Sequence, residues 1–126
     1  MKKIVLSSQS KGGGHYSPGI VSNGMLYISG QLSIDPDTRK VPEGGVATHA
    51  ALALRNVEQV LVAAGLTRDH VVQCRIYITD IAHWDQVNEV YKDFFGEHKP
   101  ARVVIPVGQL HFGCLVEIEA IAEMAE

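Results

Sequence analysis

The sequence predicts an α+β fold in which two amphipathic helices pack on one face of a mostly antiparallel or mixed β-sheet. Three observations carry that expectation. Asn23-Gly24 sits between two apolar runs and reads as a tight hairpin. Two segments repeat their apolar residues at steps of three and four, and others alternate with a period of two.

The hairpin spans residues 19–30, GIVSNGMLYISG, because a type I′ turn needs positive φ at both central residues and Asn-Gly adopts it cheaply. Residues 35–45 are rich in Pro, Asp and Gly and form an exposed loop. Over 46–64 the period changes. Ala47, Ala50, Leu54, Val57, Leu61 and Ala64 make an apolar stripe, and Gly65 ends the helix in the left-handed conformation. Residues 71–80 form a strand, with Cys74, Ile76 and Ile78 opposing Arg75, Tyr77 and Thr79.

A second helix spans 83–95 with the stripe Trp84, Val87, Tyr91 and Phe94, and Asp80 stands upstream as a cap. Strands at 101–107 and 114–123 follow. Pro106 cannot donate to a ladder, so the first belongs near an edge or a bulge. The central strands read as apolar on both sides, which predicts a sheet face covered by another copy in a closed homo-oligomer.

The 126 residues make one domain (1–126), large enough for a core without disulfide staples. Net charge is −3, and no basic stripe is visible, which argues against nucleic acid as a partner. Two distant cysteines, Cys74 and Cys114, and the lack of a leader-like or membrane-length apolar run predict a cytoplasmic protein with no membrane partner. The six histidines form no HxH, HExxH or Cys/His cluster, so no metal site is expected.

Several residues admit two readings. Glu117 and Glu119 share one face of a strand with Cα atoms roughly 6.5–7 Å apart. They form either a solvent-facing edge or a carboxylate pair usable for acid/base work. Arg102 is either a surface charge or a two-handed grip for an organic acid. Asn88, four residues after Trp84, defaults to a cap or a satisfied amide. The run KGGGHYSPG (11–19) is no P-loop, since its lysine precedes the glycines, and Ser17 lacks a GxSxG setting.

Taken together, GGHYSPGI (13–20), LYISGQLSIDPDT (26–38), LRNVEQVLVAAG (54–65), VNEVYKDFF (87–95), KPARVV (99–104) and LVEIEAIA (115–122) resemble the RidA/YjgF family of reactive imine/enamine deaminases. The resemblance implies a chorismate-mutase-like fold and a homotrimer with active sites in the clefts between subunits. It implies hydrolysis of 2-imino acids, formed from enamines such as 2-aminoacrylate, to 2-keto acids and ammonia, with no cofactor and no metal. By the same resemblance Arg102 binds the substrate carboxylate and Glu117 stands near the attacking water. Tyr16 and Ser29 line and polarise the pocket, and Asn88 joins it from a helix.

The chain departs from the family pattern at three places. GHYSP replaces GPYSQ, Val103-Val104 follow PAR where a small polar residue and cysteine are common, and Leu110-His111-Phe112-Gly113 replaces a leucine-proline-lysine loop. A more apolar cleft and a bulkier imino acid are the expectation. The glycines at 12–14 are expected to be connectors into the hairpin. Other family roles are the alternatives: small-ligand binding, a chaperone, RNA-cleaving translation inhibition, or catabolic deamination of a compound such as 2-aminomuconate.

Overall fold

The computed structural model describes residues 1–6 and 14–125. Its elements run β1 (Lys2–Ile4), β2 (Gly19–Ser22), β3 (Met25–Leu32), α1 (Val46–Ala63), β4 (Val71–Ile78), α2 (Trp84–Phe95), β5 (Ala101–Pro106) and β6 (Val116–Glu123). They build one six-stranded sheet in the order β1-β2-β3-β6-β4-β5.

The predicted hairpin is β2–β3, with Ser22 opposite Met25 and positive φ at Asn23 (51°) and Gly24 (76°). Gly65, at φ 78°, follows the end of α1 as expected. Asp80 accepts from the Ala82 N–H and caps a short 3-10 turn, Ile81–His83, that runs into α2. β4 and β5 are parallel and joined by α2, whereas β6 is antiparallel to both β3 and β4. β3 and β4 therefore run the same way with β6 inserted between them. Pro106 ends β5, which is an edge strand, where its missing N–H costs no ladder bond.

Strand β1 has no counterpart among the predicted elements. Three residues are too few to show a period, and the strand exists by pairing Lys2 with Val21 and Ile4 with Gly19. The glycine connectors expected at 12 and 13 lie outside the described residues.

Both helices cover one face. Ala50, Ala53, Leu54, Val57 and Leu61 of α1 and Val87, Tyr91 and Phe95 of α2 join Leu26, Ile28, Cys74, Ile76 and Ile118 in one core. Each fully buried Leu or Ile there stabilises the fold by about 1.5–3 kcal/mol. Two stripe positions differ from the expected ones. Ala47 is exposed while His49 is buried, where Ser33 and the Leu115 N–H meet its imidazole; at the end of α2, Phe95 enters the core in place of Phe94. The reading of both sheet faces as apolar is also corrected. The face away from the helices carries Arg75, Tyr77, Glu117 and Glu119 at its centre, with exposed Tyr27, Val103 and Ile105 toward its margins.

Candidate active site

Strand β5 lies in parallel register with β4, and Arg102 stands opposite Cys74. Because Cys74 is buried toward the helices, Arg102 also points to the helix side. There its Nη1 donates to Asn88 Oδ1 at 2.8 Å. Its Cζ lies 4.8 Å from the Tyr91 ring centroid and 5.4 Å from that of Trp84. Trp84, Asn88 and Tyr91 follow at steps of four and three, so α2 offers them on one face. Among the described residues the ion pairs are Arg68–Glu58 and Arg75–Glu119, and neither satisfies Arg102. A half-buried guanidinium is thus oriented by an amide and two rings, with no ion pair to it among the described residues. A guanidinium in that state has donors suited to an anion.

Glu117 stands on β6, opposite Tyr77 on one side and Leu32 on the other, and faces away from the helices. Gly30 explains how it lies so close to β3. A Cβ at position 30 would come within 2.9 Å of Glu117 Oε2, so the glycine of the SGQ sequence leaves room for the carboxylate. Burial raises the Glu117 carboxyl above the ordinary carboxylate value, and the neighbouring Glu119 charge adds to the rise. Glu119 itself accepts a hydrogen bond from the Tyr77 hydroxyl and has Arg75 Nη1 at 3.7 Å. The predicted carboxylate pair is therefore split in character: Glu119 is partnered, and Glu117 is the one whose carboxyl burial raises.

Ser29 acts on the loop that bears Tyr16. Its Oγ donates to the Ser17 carbonyl at 2.6 Å and its N–H to the Pro18 carbonyl at 3.0 Å. Tyr16 is exposed and borders a groove with Val5, Leu6 and Pro18. The β3–β6 register shifts between Ile28 and Gln31, a bulge that carries Ser29 and Gly30.

One chain brings Arg102 and Asn88 together, ties Ser29 to the Tyr16 loop, and sets Glu117 against Gly30. It does not unite Arg102 with Glu117. The two lie on opposite faces, separated by two strand spacings and three residues along the strand, which puts their Cα atoms about 14 Å apart. Trp84 and Tyr91, which sequence periodicity assigns only to a core stripe, also belong to the Arg102 environment. Their spacing around Asn88 was the available signal. Cys74, beneath Arg102, is no nucleophile: burial pushes its thiol up to about 11. Among the described residues no group of three or more His, Cys, Asp or Glu side chains is placed to hold a metal ion. Among the described residues no helix is long and apolar enough to cross a membrane.

A six-stranded mixed sheet with two helices on one face, and an arginine at its edge with no ion pair among the described residues, defines a small α+β domain. Residues 7–124 match the family model described as Endoribonuclease L-PSP. The RutC family protein PH0854 of Pyrococcus horikoshii is 37% identical over 97% of this chain and 98% of its own length. The 2-iminobutanoate/2-iminopropanoate deaminase of Homo sapiens is 36% identical over 97% of this chain and 90% of its own. The crystal structure of E. coli TdcF with bound serine superposes with a TM-score of 0.89 at 37% identity, covering 98% of this chain and 100% of that one. The chain belongs to this family, the RidA/YjgF family.

Proposed function

We propose that the protein hydrolyses short 2-imino acids to 2-keto acids and ammonia, in clefts between the subunits of a homotrimer. The observation that carries this reading is Arg102, a guanidinium held by Asn88 with no acidic partner among the described residues. Its free Nε–Nη2 edge matches a substrate carboxylate in two-handed fashion. The names of the human relative and the serine bound to TdcF support a substrate of amino-acid shape for those proteins, and by likeness for this one.

The chemistry asks little more of the chain. A protonated imine carbon is already electrophilic, so the site must hold the acid, place a water and move protons. Water adds to the imine carbon while Glu117 takes a proton from it. The proton passes to nitrogen, the C–N bond breaks as the carbonyl forms, and the hydroxyl proton goes by way of Glu117 to the departing ammonia. The iminium and one water thus become a keto acid and an ammonium ion. A carboxylate raised by burial is a better proton acceptor than an ordinary one and suits this step.

A small acid cannot span about 14 Å through the sheet. In the proposed assembly the Arg102 of one subunit therefore meets the Glu117, and the Tyr16 loop anchored by Ser29, of the next. The polar open face with its exposed Tyr27, Val103 and Ile105 is the surface a second copy covers. Half-buried Val104, two residues from Arg102 and on the same face of β5, makes the floor beside the arginine apolar and favours a longer side chain on the substrate.

The test generates imino acids in place with an amino-acid oxidase and follows ammonia and keto-acid release. Acceleration over the spontaneous rate is expected. No acceleration across several imino acids overturns the reading.

A further inference from the structure

We propose that Tyr91 is a positioning residue for Arg102, holding the guanidinium plane against its ring so that the Nε–Nη2 edge meets the substrate carboxylate. This rests on the function proposed above. It concerns a residue whose spacing marks it only as core.

An arginine at a sheet edge, with no ion pair among the described residues, has four flexible side-chain bonds to restrain before it can grip a ligand in one geometry. Asn88 restrains one point, Nη1. A single hydrogen bond leaves the plane free to swing about that contact. The two rings remove that freedom. Tyr91 is the nearer, at 4.8 Å against 5.4 Å for Trp84, and the more deeply buried, at 7% exposure. A cation–π contact strengthens with desolvation, so the Tyr91 ring is the stronger of the two restraints.

The ring is itself rigid. Its centroid lies 4.7 Å from that of Phe95, which in turn meets Phe94 at 4.9 Å and His98 at 5.9 Å. Arg102 therefore leans on a wall fixed at several points in the core.

The hydroxyl is not what the position uses. It is buried without a conventional hydrogen-bond partner and lies beside the Cys74 thiol, a weak one. Burial keeps that thiol protonated, so no thiolate competes for the guanidinium. What Arg102 meets at position 91 is the electron-rich face of an aromatic ring.

The full-length protein with phenylalanine, then mono-, di- and trifluorophenylalanine, at position 91 tests this. Fluorination drains the ring face of negative charge with little change of shape. The probe is 2-oxobutanoate, its Kd read by calorimetry, with KM and kcat for the corresponding imino acid measured in parallel. Tyr91→Phe is expected to bind within about twofold of wild type, and Kd to rise stepwise to about three- to thirtyfold at trifluorophenylalanine. KM should follow Kd while kcat holds, because the ring does not touch the reacting carbon. A merely structural role predicts a flat series, and that result overturns the assignment. A wild type that neither binds 2-oxobutanoate nor hydrolyses imines overturns the functional reading, and this one with it. Binding by wild type with a flat series removes Tyr91 alone.

Discussion

Arg102 and Glu117 point to opposite faces of the same sheet, with β4 between their strands. Neither can serve the other's ligand within one chain. If the proposed cleft pairs them across a subunit boundary, two inactive variants should complement. Mixing Arg102→Ala with Glu117→Gln after unfolding and reassembly is expected to restore about one quarter of the sites, the random share in a ring of heterologous interfaces. A mixture as inactive as its parents would place both residues in one subunit's site.

Arg102→Ala should lower kcat/KM by about 10²-fold, the loss of roughly 3 kcal/mol of charge-assisted hydrogen bonding. Arg102→Lys should recover only part of this, since an ammonium lacks the planar fork. The mass of the assembly in solution should not change in either variant. Wild-type rates in the alanine variant would remove Arg102 from the site.

Glu117 sets the sign of the pH dependence. In the base role proposed for it Glu117 must be deprotonated, and its carboxyl is raised, first by burial and then by Glu119. Activity should therefore fall as pH drops through a value above the ordinary carboxylate range. Glu117→Gln should abolish that limb together with about 10²-fold or more of kcat. Glu119→Gln removes the like charge and should move the limb toward lower pH. Steady-state pH profiles of the three proteins decide it.

Gly30→Ala probes the contact beneath Glu117. The new Cβ would stand 2.9 Å from Oε2, so the carboxylate must swing aside. A drop in kcat of about tenfold with little loss of stability is expected, in line with the cost of misplacing a reacting group. An unchanged kcat would show that the position of Glu117 is not critical.

His49 makes acid stability measurable. It is buried, its Nδ1 accepts from the Leu115 N–H and meets Ser33 Oγ at 2.7 Å, and burial, then His83, lowers its pKa. The unfolded chain binds this proton at about pH 6.5, before the folded one does. The sign follows: stability falls as pH drops below about 6.5, by at most about 1.4 kcal/mol per pH unit for one such group. Urea unfolding of wild type and His49→Gln between pH 7.5 and 5, roughly the range where histidine titrates, should show a shallower slope for the variant. Parallel slopes would assign the acid sensitivity elsewhere.

Much of the architecture was legible because it depends on local chemistry. Asn23-Gly24 dictates its turn, Gly65 its helix end, Asp80 its cap and Pro106 an edge position, whatever surrounds them. Strand β1 was not legible, since three residues form a strand only when β2 is there to pair with. Nor was the burial of His49 in place of Ala47, which depends on Ser33 and Leu115, distant in the chain, meeting the imidazole.

The sequence by itself determined the order and type of most elements, the family, and which side chains have the chemistry to grip an acid or carry a proton. Their arrangement was decided by the tertiary structure. Period-two alternation places Glu117 and Glu119 on one face, but only the pairing of Tyr77 with Glu119 leaves Glu117 as the one without a donor among the described residues. Helical spacing puts Trp84, Asn88 and Tyr91 on one side of α2, but only the parallel packing of β5 beside β4 brings Arg102 beneath them. Contacts between residues distant in the chain depend on strand register and on which face a helix covers, and no local pattern encodes either.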